Sequence, residues 1–297
     1  MKTSVVVVTF NRHKDCEETL ISLANQTVLP DEIIVIDNGS TIPYKLKNKA
    51  LKDKVNIKIV HLKKSLELGA ARSIGVLLSS GDIVIFLDDD AIVVPEWLKS
   101  FKEAFKNGCD IATGPCRPYY LGKPPSWWNE KIHGGFVGVG NYYHVSSGNP
   151  LLYVKGGNMA VRKKVFENVG LFKPHLGRVR GKLLSGEESD FVVRAMRKSF
   201  SICYVPGAVM YHKIYPYKLS FRYILKHSWN GGVSRRILTL EKTIHPGLVP
   251  RSLYYMVDIF VRIIKACKNI VVGDVGRGVH EIGLLLNRLG FLTGRPL

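Results

Sequence analysis

Several features that would assign the chain to a common class are missing from its 297 residues. No uncharged apolar run approaches the roughly 18 residues that a membrane-spanning helix needs, so we expect a soluble or peripheral protein. Neither G-x-x-x-x-G-K-[ST] nor G-x-G-x-x-G occurs, which argues against a P-loop protein and a dinucleotide-binding protein. No internal repeat or low-complexity tract is present, which argues against a solenoid or a disordered linker.

Cysteine is scarce and shows no pattern. The five cysteines are scattered and odd in number, and no C-x-x-C pair or Cys/His spacing typical of zinc occurs. We therefore expect reduced thiols in a cytosolic protein. The first residues run directly into a strand-like stretch without a secretory signal, which favours the same location, in the cytoplasm or peripherally on the cytoplasmic face of the membrane.

Acidic residues are few compared with basic ones. Lys+Arg 43 against Asp+Glu 24 gives a formal net charge of +19, which implies an anionic partner such as nucleic acid, an anionic membrane surface or a phosphorylated substrate. A nucleic-acid-binding protein would show a basic stripe with interleaved aromatic side chains or a recognised binding module. The lysine-rich stretch 45–64 lacks them, so we interpret it as a solvated face and expect no nucleic-acid partner.

Apolar runs alternate with helical stretches in the first part of the chain, where strands are predicted at Ser4–Val8, Glu32–Ile36, Val55–Leu62, Asp82–Leu87 and Cys109–Thr113. This alternation predicts a right-handed parallel α/β sheet. Ligands of such sheets bind beyond the carboxyl ends of the strands. Because Thr9–Arg12, Asp37 and Asp88–Asp90 each follow a strand, we expect them to converge on one crevice.

Three consecutive carboxylates, Asp88, Asp89 and Asp90, end the fourth predicted strand. Buried like charges repel each other and resist desolvation, and a divalent cation would remove that objection. Mg²⁺ and Mn²⁺ prefer oxygen ligands, and Mg²⁺ usually takes one or two carboxylates plus substrate phosphates. The sequence therefore favours an Mn²⁺ or Mg²⁺ site over a solvated acidic turn. Its candidate ligands are Asp90 and Asp88, and His212 could complete it.

A second acidic cluster opens a helix predicted to run from about Ser185 to Lys198. Acids in a first turn commonly complement the helix macrodipole, which is the simpler interpretation of Glu187, Glu188 and Asp190. Beside a metal site, however, a carboxylate at a helix start is a reasonable general base.

Taken in order, these motifs resemble the family 2 glycosyltransferases of GT-A fold. The set reads V-V-T-F-N-R, I-D-N-G-S, L-G-A-A-R-S-x-G, F-L-D-D-D, G-G-N-M and G-E-E-S-D-F. The resemblance implies a Rossmann-like, mostly parallel sheet flanked by helices, and inverting, metal-assisted hexosyl transfer from a nucleotide-diphosphate sugar, with a UDP-sugar expected. A glycan or a polyprenyl- or dolichyl-phosphate-linked glycan is the expected acceptor. The alternatives are a nucleotidyltransferase-like enzyme and a basic nucleic-acid-binding protein.

The resemblance also assigns roles to individual residues. Those implied to bind the donor are Thr9, Asn11, Arg12, Asp37, Arg72, Asp88 and Asp89. Of these, Asp37 is implied to read the nucleobase and Asp88 to lie near the ribose, while Asp90 binds the metal. Glu188 occupies the position of the usual base. Because the family more often has Asp there, Glu187 and Asp190 stay as alternatives.

The chain is predicted to divide into a catalytic domain, 1–215, and a C-terminal helical extension, 216–297. Within the first, 1–114 is the nucleotide-sugar-binding half and 115–215 the acceptor half, which begins with an irregular binding loop over 115–150. The extension contains an amphipathic helix, Leu253–Val272. Its polar stripe carries Asp258, Arg262, Lys265 and Asn269, and its apolar side carries Leu253, Met256, Val257, Phe260, Val261 and Ile264. Two interpretations are open: a helix pair that closes the catalytic core, or an interfacial helix on an anionic membrane. The basic charge favours the second.

Overall fold

The computed structural model describes residues 1–138, 154–178, 183–241 and 252–295, with the backbone alone for 252–256. The chain divides into two compact units. The first comprises Met1–Arg117, Tyr142–Gly177 and Glu187–Lys213, and the second Pro118–Asn141, Arg178–Gly186 and Ile214–Leu297. Each unit is assembled from separate stretches of sequence, whereas the division at residue 215 into consecutive segments stays a prediction.

The strands are β1 (Thr3–Thr9), β2 (Glu32–Asp37), β3 (Ile57–His61), β4 (Ile83–Asp88), β5 (Ala91–Val93), β6 (Ile111–Thr113), β7 (Cys116–Tyr120), β8 (Asn158–Arg162), β9 (Ile202–Tyr204) and β10 (Met210–Ile214). The helices are α1 (His13–Ala24), α2 (Ala50–Lys54), α3 (Leu68–Leu78), α4 (Trp97–Lys106), α5 (Glu130–His133), α6 (Lys163–Val169), α7 (Glu187–Met196), α8 (Phe221–Leu240), α9 (Ser252–Val271) and α10 (Val275–Thr293). Short 3₁₀ helices lie at Gly134–Val137, Pro174–Leu176 and Pro216–Leu219.

Within the described residues the larger sheet has seven strands, in the order β3-β2-β1-β4-β8-β6-β9. The first four are mutually parallel, and β8 runs antiparallel to both of its neighbours. Strands β1 and β2 are almost entirely buried, as expected for β-branched runs covered by helices on both faces. The predicted α/β fold, with a mostly parallel sheet flanked by helices, is confirmed.

A cluster of four phenylalanines packs α6 and α7 against this sheet. Phe191 of α7 stacks on Phe166 of α6 with ring centroids 4.8 Å apart, and Phe172 contacts Phe86 of β4 at 5.3 Å. All four side chains are buried, and buried aromatic rings supply much of the apolar area of a core. This packing determines where the first turn of α7, with its glutamates, is placed.

The sequence did not predict a second sheet or helix α8. The second sheet has the order β5-β10-β7, and its short strands carry little periodic signal. In the predicted irregular segment 115–150, β7 and α5 are ordered elements, and residues 139–150 lie outside the described residues. None of the described helices has both the length and the apolar composition needed to cross a bilayer.

The prediction of reduced thiols is wrong for one pair. Cys109 and Cys203 form a disulfide across 94 residues of sequence. Cys109 precedes β6, and Cys203 lies in β9, which pairs with β6 in parallel. Spacing could not reveal this bridge because strand pairing, and not sequence proximity, brings the sulfur atoms together. Cys16 and Cys116 are buried free thiols, and Cys267 is exposed.

Candidate active site

Three loops of the first unit converge at the carboxyl ends of adjacent parallel strands. Thr9, the last residue of β1, is in register with Asp37 at the end of β2. On its other side, Val8 is in register with Asp88 at the end of β4. The sequence-based expectation that these segments meet at one edge of the sheet is therefore confirmed.

The turn after β1 is joined to the turn after β2 by hydrogen bonds. Asn11 has a positive φ of 54°, a conformation that asparagine tolerates better than most residues. Its backbone N–H donates to Ser40 Oγ at 2.9 Å, and its side-chain oxygen accepts from the N–H of Thr41 at 2.9 Å. Two of the predicted donor-binding segments thus form one connected surface.

Asp37 is buried and is held by neighbouring donors. Its Oδ1 accepts from the N–H of Ser40 at 3.1 Å and its Oδ2 from the N–H of Tyr44 at 2.8 Å, while Nδ1 of His61 lies 3.0 Å from Oδ2. Burial acts to raise the pKa of Asp37, but these hydrogen bonds outweigh it and lower the pKa. The carboxylate therefore stays ionised and shapes the β2 turn. Its role in reading the base stays a prediction.

The carboxylates after β4 have cationic partners within the protein. Asp88 Oδ1 accepts from Arg72 Nη2 at 3.0 Å. Arg12 Nη1 donates to Asp89 Oδ1 at 3.2 Å and to Asp90 Oδ2 at 2.7 Å. These ion pairs offset part of the repulsion among Asp88, Asp89 and Asp90, which was the reason to predict a metal ion from the sequence. The repulsion by itself therefore does not require a metal.

Asp89 lies buried between the strand ends, with 6% of its surface exposed. Thr9 Oγ1 donates to its Oδ2 at 2.7 Å. Burial raises the pKa of Asp89 to about 7, with the charges of Asp90 and Asp88 acting in the same direction and Arg12 and Thr9 opposing them. The contacts of Asp89 with Thr9 and Arg12 link the end of β1 and the turn after it to the end of β4.

Two of the residues predicted to bind a metal lie close together. Asp90 Oδ1 lies 3.2 Å from Nε2 of His212. Adjacent ligands of an octahedral ion with bonds of about 2.1 Å are about 3.0 Å apart, so the two atoms are spaced suitably for one ion. No three His, Cys, Asp or Glu side chains form a metal cage in the described part of the chain. Asp90 and His212, which are in direct contact here, are thus two residues that could hold an ion, and such an ion would need further ligands from outside the pair.

The Gly-Gly pair before β8 leaves room for two charged side chains. A methyl carbon at Gly156 would lie 2.5 Å from Arg72 Nη1, and one at Gly157 would lie 2.0 Å from Asp88 Oδ2. Both are far below van der Waals contact distance. The sequence identified this motif only by resemblance, and the structure supplies the physical reason for it.

Arg72 connects the end of β4 to the start of α7. It is 4% exposed, and while its Nη2 binds Asp88, its Nη1 donates to Glu187 Oε1 at 2.9 Å. The partners are separated from it by 16 and 115 residues in the sequence. No local pattern signals such a bridge, so the sequence assigned Arg72 to the donor only by resemblance.

The two glutamates that open α7 have different environments. Glu187 is 2% exposed, and burial, with the nearby charge of Glu188, raises its pKa to about 8 against the opposing effect of Arg72. Oε2 of Glu188 is also buried and has no hydrogen-bond partner within the described residues. Buried polar atoms are normally paired, so this oxygen is suited to accept a proton from a bound hydroxyl group.

Asp190, the third candidate base, is engaged in ion pairs. Its Oδ2 accepts from Arg194 Nε at 2.7 Å and its Oδ1 from Lys173 Nζ at 2.9 Å. Arg194 also donates to the carbonyl oxygens of Val169 and Leu171. Asp190 therefore braces α7 against the segment that follows α6, a role that the sequence did not assign to it.

A buried lysine that the sequence did not single out orients β10 beside the acidic run. Lys213 is 1% exposed, donates to Asp15 Oδ1 at 2.9 Å and contacts Glu18. Its backbone N–H donates to the carbonyl oxygen of Asp90 at 2.9 Å. This hydrogen bond holds the neighbouring His212 close to Asp90. Because Asp15 is 198 residues away, no sequence pattern predicts the pairing.

Comparison with known proteins adds a family context to this geometry. The family model described as "Glycosyl transferase family 2" matches residues 4–170. Over 277 residues the chain is 24% identical to the glucosyl-dolichyl phosphate glucuronosyltransferase of Haloferax volcanii, covering 91% of this chain and 87% of that protein. It is 32% identical over 174 residues to the dolichol-phosphate mannosyltransferase of Pyrococcus furiosus, which is 58% of this chain and 49% of that protein.

Among solved structures, the chain is similar to S. aureus TarS 1–349 in complex with UDP. The TM-score is 0.56 at 16% identity, covering 99% of this chain and 92% of that one. The same protein in complex with UDP-GlcNAc gives a TM-score of 0.54 at 17% identity, covering 95% and 91% of the two chains. At this identity the similarity establishes the fold alone.

Proposed function

The chain belongs to glycosyl transferase family 2 and is a glycosyltransferase, and we propose that it transfers a hexose with inversion from a UDP-sugar to a polyprenyl- or dolichyl-phosphate-linked glycan. The relatives from H. volcanii and P. furiosus carry dolichyl or dolichol phosphate in their names, which supports the acceptor class. The TarS complexes with UDP and UDP-GlcNAc support a uridine nucleotide.

The proposed reaction is a single displacement. The acceptor oxygen forms a bond to the anomeric carbon while the bond from that carbon to the diphosphate oxygen breaks, and the hydroxyl proton passes to Glu188. The buried, unpartnered Oε2 of Glu188 is the observation that carries this assignment. A positioned base of this kind typically contributes about 10²–10⁴-fold to the rate. Glu187, buried against Arg72, maintains the shape of the site.

On the donor side, the turn after β1 and the acidic run receive the nucleotide. Asp90 and His212 are the residues that would hold an Mn²⁺ or Mg²⁺ ion. Such an ion, when bound, would stabilise the negative charge of the departing diphosphate as a Lewis acid. Arg12 adds a fixed positive charge close to the same carboxylate.

Ligand binding tests the donor site first. A thermal-shift panel with UDP, GDP, TDP and CMP, each with Mn²⁺, Mg²⁺ or EDTA, should show a metal-dependent rise in melting temperature with UDP, because a ligand that binds the folded state stabilises it. No shift with any nucleotide, in a protein shown to be folded, would contradict the proposal.

Glu188→Gln tests the base. We expect transfer to short-chain polyprenyl-phosphate glycans to fall about 10²–10⁴-fold while the nucleotide-dependent thermal shift is retained. Glu167→Gln, an exposed position on α6, is the matched control and should transfer normally. Wild-type turnover of Glu188→Gln would move the base to Glu187 or Asp190.

A further inference from the structure

Helix α9 packs against α10 through its charged stripe. Arg262 donates to Asp258 at 3.0 Å and to Glu281 of α10 at 2.8 Å, and Arg288 of α10 donates to Asp258 at 2.9 Å. The four side chains are between 14% and 17% exposed. Hydrogen bonds from both arginines lower the pKa of Asp258 although burial acts to raise it. The interface between the two helices is therefore occupied by an ion-pair network.

The apolar stripe of α9 consequently faces outward. Val257 is 56% exposed, Phe260 65%, Ile264 52% and Val271 85%, and Val261 is also exposed. These five residues, which we call the α9 apolar face, recur at the spacing that places side chains on one side of a helix. From residue 257 to residue 271 the face is about 21 Å long. An exposed apolar surface of this kind marks an interaction site.

Positive charge lies beside the α9 apolar face, at Lys265, and within it, at Lys268 between Ile264 and Val271. Lys265 and Lys268 are exposed, and neither has an ion-pair partner among the residues the structure describes. Arg277, in the first turn of α10, is 67% exposed but is paired with Asp274, which is 41% exposed, at 3.4 Å. By contrast, Asp258 and Glu281 are sequestered in the ion-pair network with α10. The cations beside the α9 apolar face that lack an ion-pair partner among the described residues are therefore Lys265 and Lys268.

We infer that the α9 apolar face is a docking surface for an anionic phospholipid bilayer. Phe260, Ile264 and their neighbours would enter the boundary between headgroups and acyl chains, and Lys265 and Lys268 would contact lipid phosphates. The charged stripe on the opposite side is bound to α10, so α9 lies along the membrane surface. The sequence left open whether α9 belongs to a helix pair that closes the catalytic core or lies on a membrane, and the exposure of the α9 apolar face favours the membrane.

This inference deepens the proposed function. Its functional meaning rests on that proposal, because an enzyme with a lipid-linked acceptor has to reach the acceptor at a membrane. Docking along α9 would confine the enzyme to the surface on which such an acceptor diffuses. The partner is identified by its chemistry alone: a bilayer surface that accepts apolar side chains below its headgroups and carries negative charge on those headgroups.

Vesicle flotation tests the apolar contribution. The wild type should float with phosphatidylcholine vesicles that contain phosphatidylglycerol, more at low than at high salt. The triple variant Val257→Gln/Phe260→Gln/Ile264→Gln keeps residues with good helix propensity, and its bound fraction should fall by at least about tenfold. The matched control changes three exposed apolar residues of the first unit, as Leu29→Gln/Leu77→Gln/Met196→Gln, and should float normally.

A charge variant and two further measurements complete the test. Lys265→Gln/Lys268→Gln should weaken binding to anionic vesicles by about fivefold per lysine and reduce its salt dependence. Flotation of the apolar triple variant at the wild-type level, or failure of the wild type to float at low salt, would overturn the inference. A third result would also overturn the inference: light scattering shows that the wild type is a dimer and the triple variant a monomer, and the wild type does not bind vesicles. The α9 apolar face would then join two copies of the chain.

The nucleotide-dependent thermal shift, measured on the same preparations, separates the two proposals. A normal UDP shift without flotation defeats the membrane inference alone. Flotation without any nucleotide shift defeats the proposed function alone.

Discussion

Replacing Gly157 by alanine tests how the donor side of the site is constructed. A methyl carbon there would lie 2.0 Å from Oδ2 and 2.2 Å from Cγ of Asp88, whereas ordinary contact begins at 3.4 Å. The Asp88 carboxylate therefore has to move by about 1.4 Å, because overlap at these distances is strongly repulsive. That movement breaks its 3.0 Å hydrogen bond with Arg72.

The expected loss of UDP affinity corresponds to one hydrogen bond between the Asp88 carboxylate and the donor. A hydrogen bond to a charged group contributes roughly 1.5–3 kcal/mol, and each 1.4 kcal/mol corresponds to about tenfold in affinity. If Asp88 contacts the ribose of the donor, the Kd for UDP should rise by about 10- to 100-fold in Gly157→Ala, measured by isothermal titration calorimetry with the metal present. The melting temperature should also fall, because buried Arg72 loses one of its two carboxylate partners.

Two variants make this result interpretable. Gly135→Ala is the matched control, because a methyl carbon at Gly135 has no heavy atom within 4 Å, and it should bind UDP normally. Asp88→Ala removes the carboxylate itself. Wild-type affinity in Gly157→Ala, together with lost affinity in Asp88→Ala, would refute the steric reasoning. Wild-type affinity in both would show that Asp88 does not contact the donor.

Three further predictions concern stability. The pKa of Glu187 is about 8 in the folded protein, compared with 4.5 for a free glutamate. The folded state therefore binds one proton more than the unfolded state between these pH values. As a result the free energy of unfolding falls as pH rises through this range, by up to about 1.4 kcal/mol per pH unit. Glu187→Gln removes this titration, and its melting temperature relative to wild type should increase from pH 5 to 8; a constant difference would contradict the assignment. Cys109→Ser removes the disulfide with Cys203 and should lower the free energy of unfolding by about 2–5 kcal/mol, measured by urea unfolding without reductant. Dithiothreitol should abolish this difference between variant and wild type. Equal stability without reductant would argue against the disulfide. Asp190→Asn leaves Arg194 without its carboxylate partner and should lower the free energy of unfolding by about 1–3 kcal/mol in the same assay. UDP binding should be retained. Loss of transfer at unchanged stability would instead identify Asp190 as the base.

The local pattern of the chain was sufficient to predict the donor edge of the fold. The β-branched run in β1 and the apolar run in β4 are long enough to be recognised as buried strands, and parallel topology then requires their carboxyl ends to meet. For that reason the convergence of Thr9, Asp37 and Asp88 could be predicted from the sequence. The order of the motifs, and not any single one of them, indicated the family.

The charge balance within the site could not be predicted in the same way. The sequence shows three adjacent carboxylates, but Arg12 and Arg72 lie 76 and 16 residues before Asp88 along the chain. Which cation meets which carboxylate depends on helix packing and loop geometry. The repulsion that suggested a metal ion is therefore offset in part by arginine side chains, and the reason for the Gly-Gly pair lies in the space that Arg72 and Asp88 occupy.

The amino-acid sequence by itself determined the strands that form the parallel part of the larger sheet, the motif residues at their ends and the amphipathic character of α9, because each depends on local periodicity. Only the tertiary structure decided that Cys109 pairs with Cys203, that Lys213 is buried beside the acidic run, and that α9 turns its charged stripe toward α10. These features depend on contacts between residues distant in sequence. A helix with two distinct stripes can bury either one, and the ion pairs offered by its neighbour determine which stripe remains exposed.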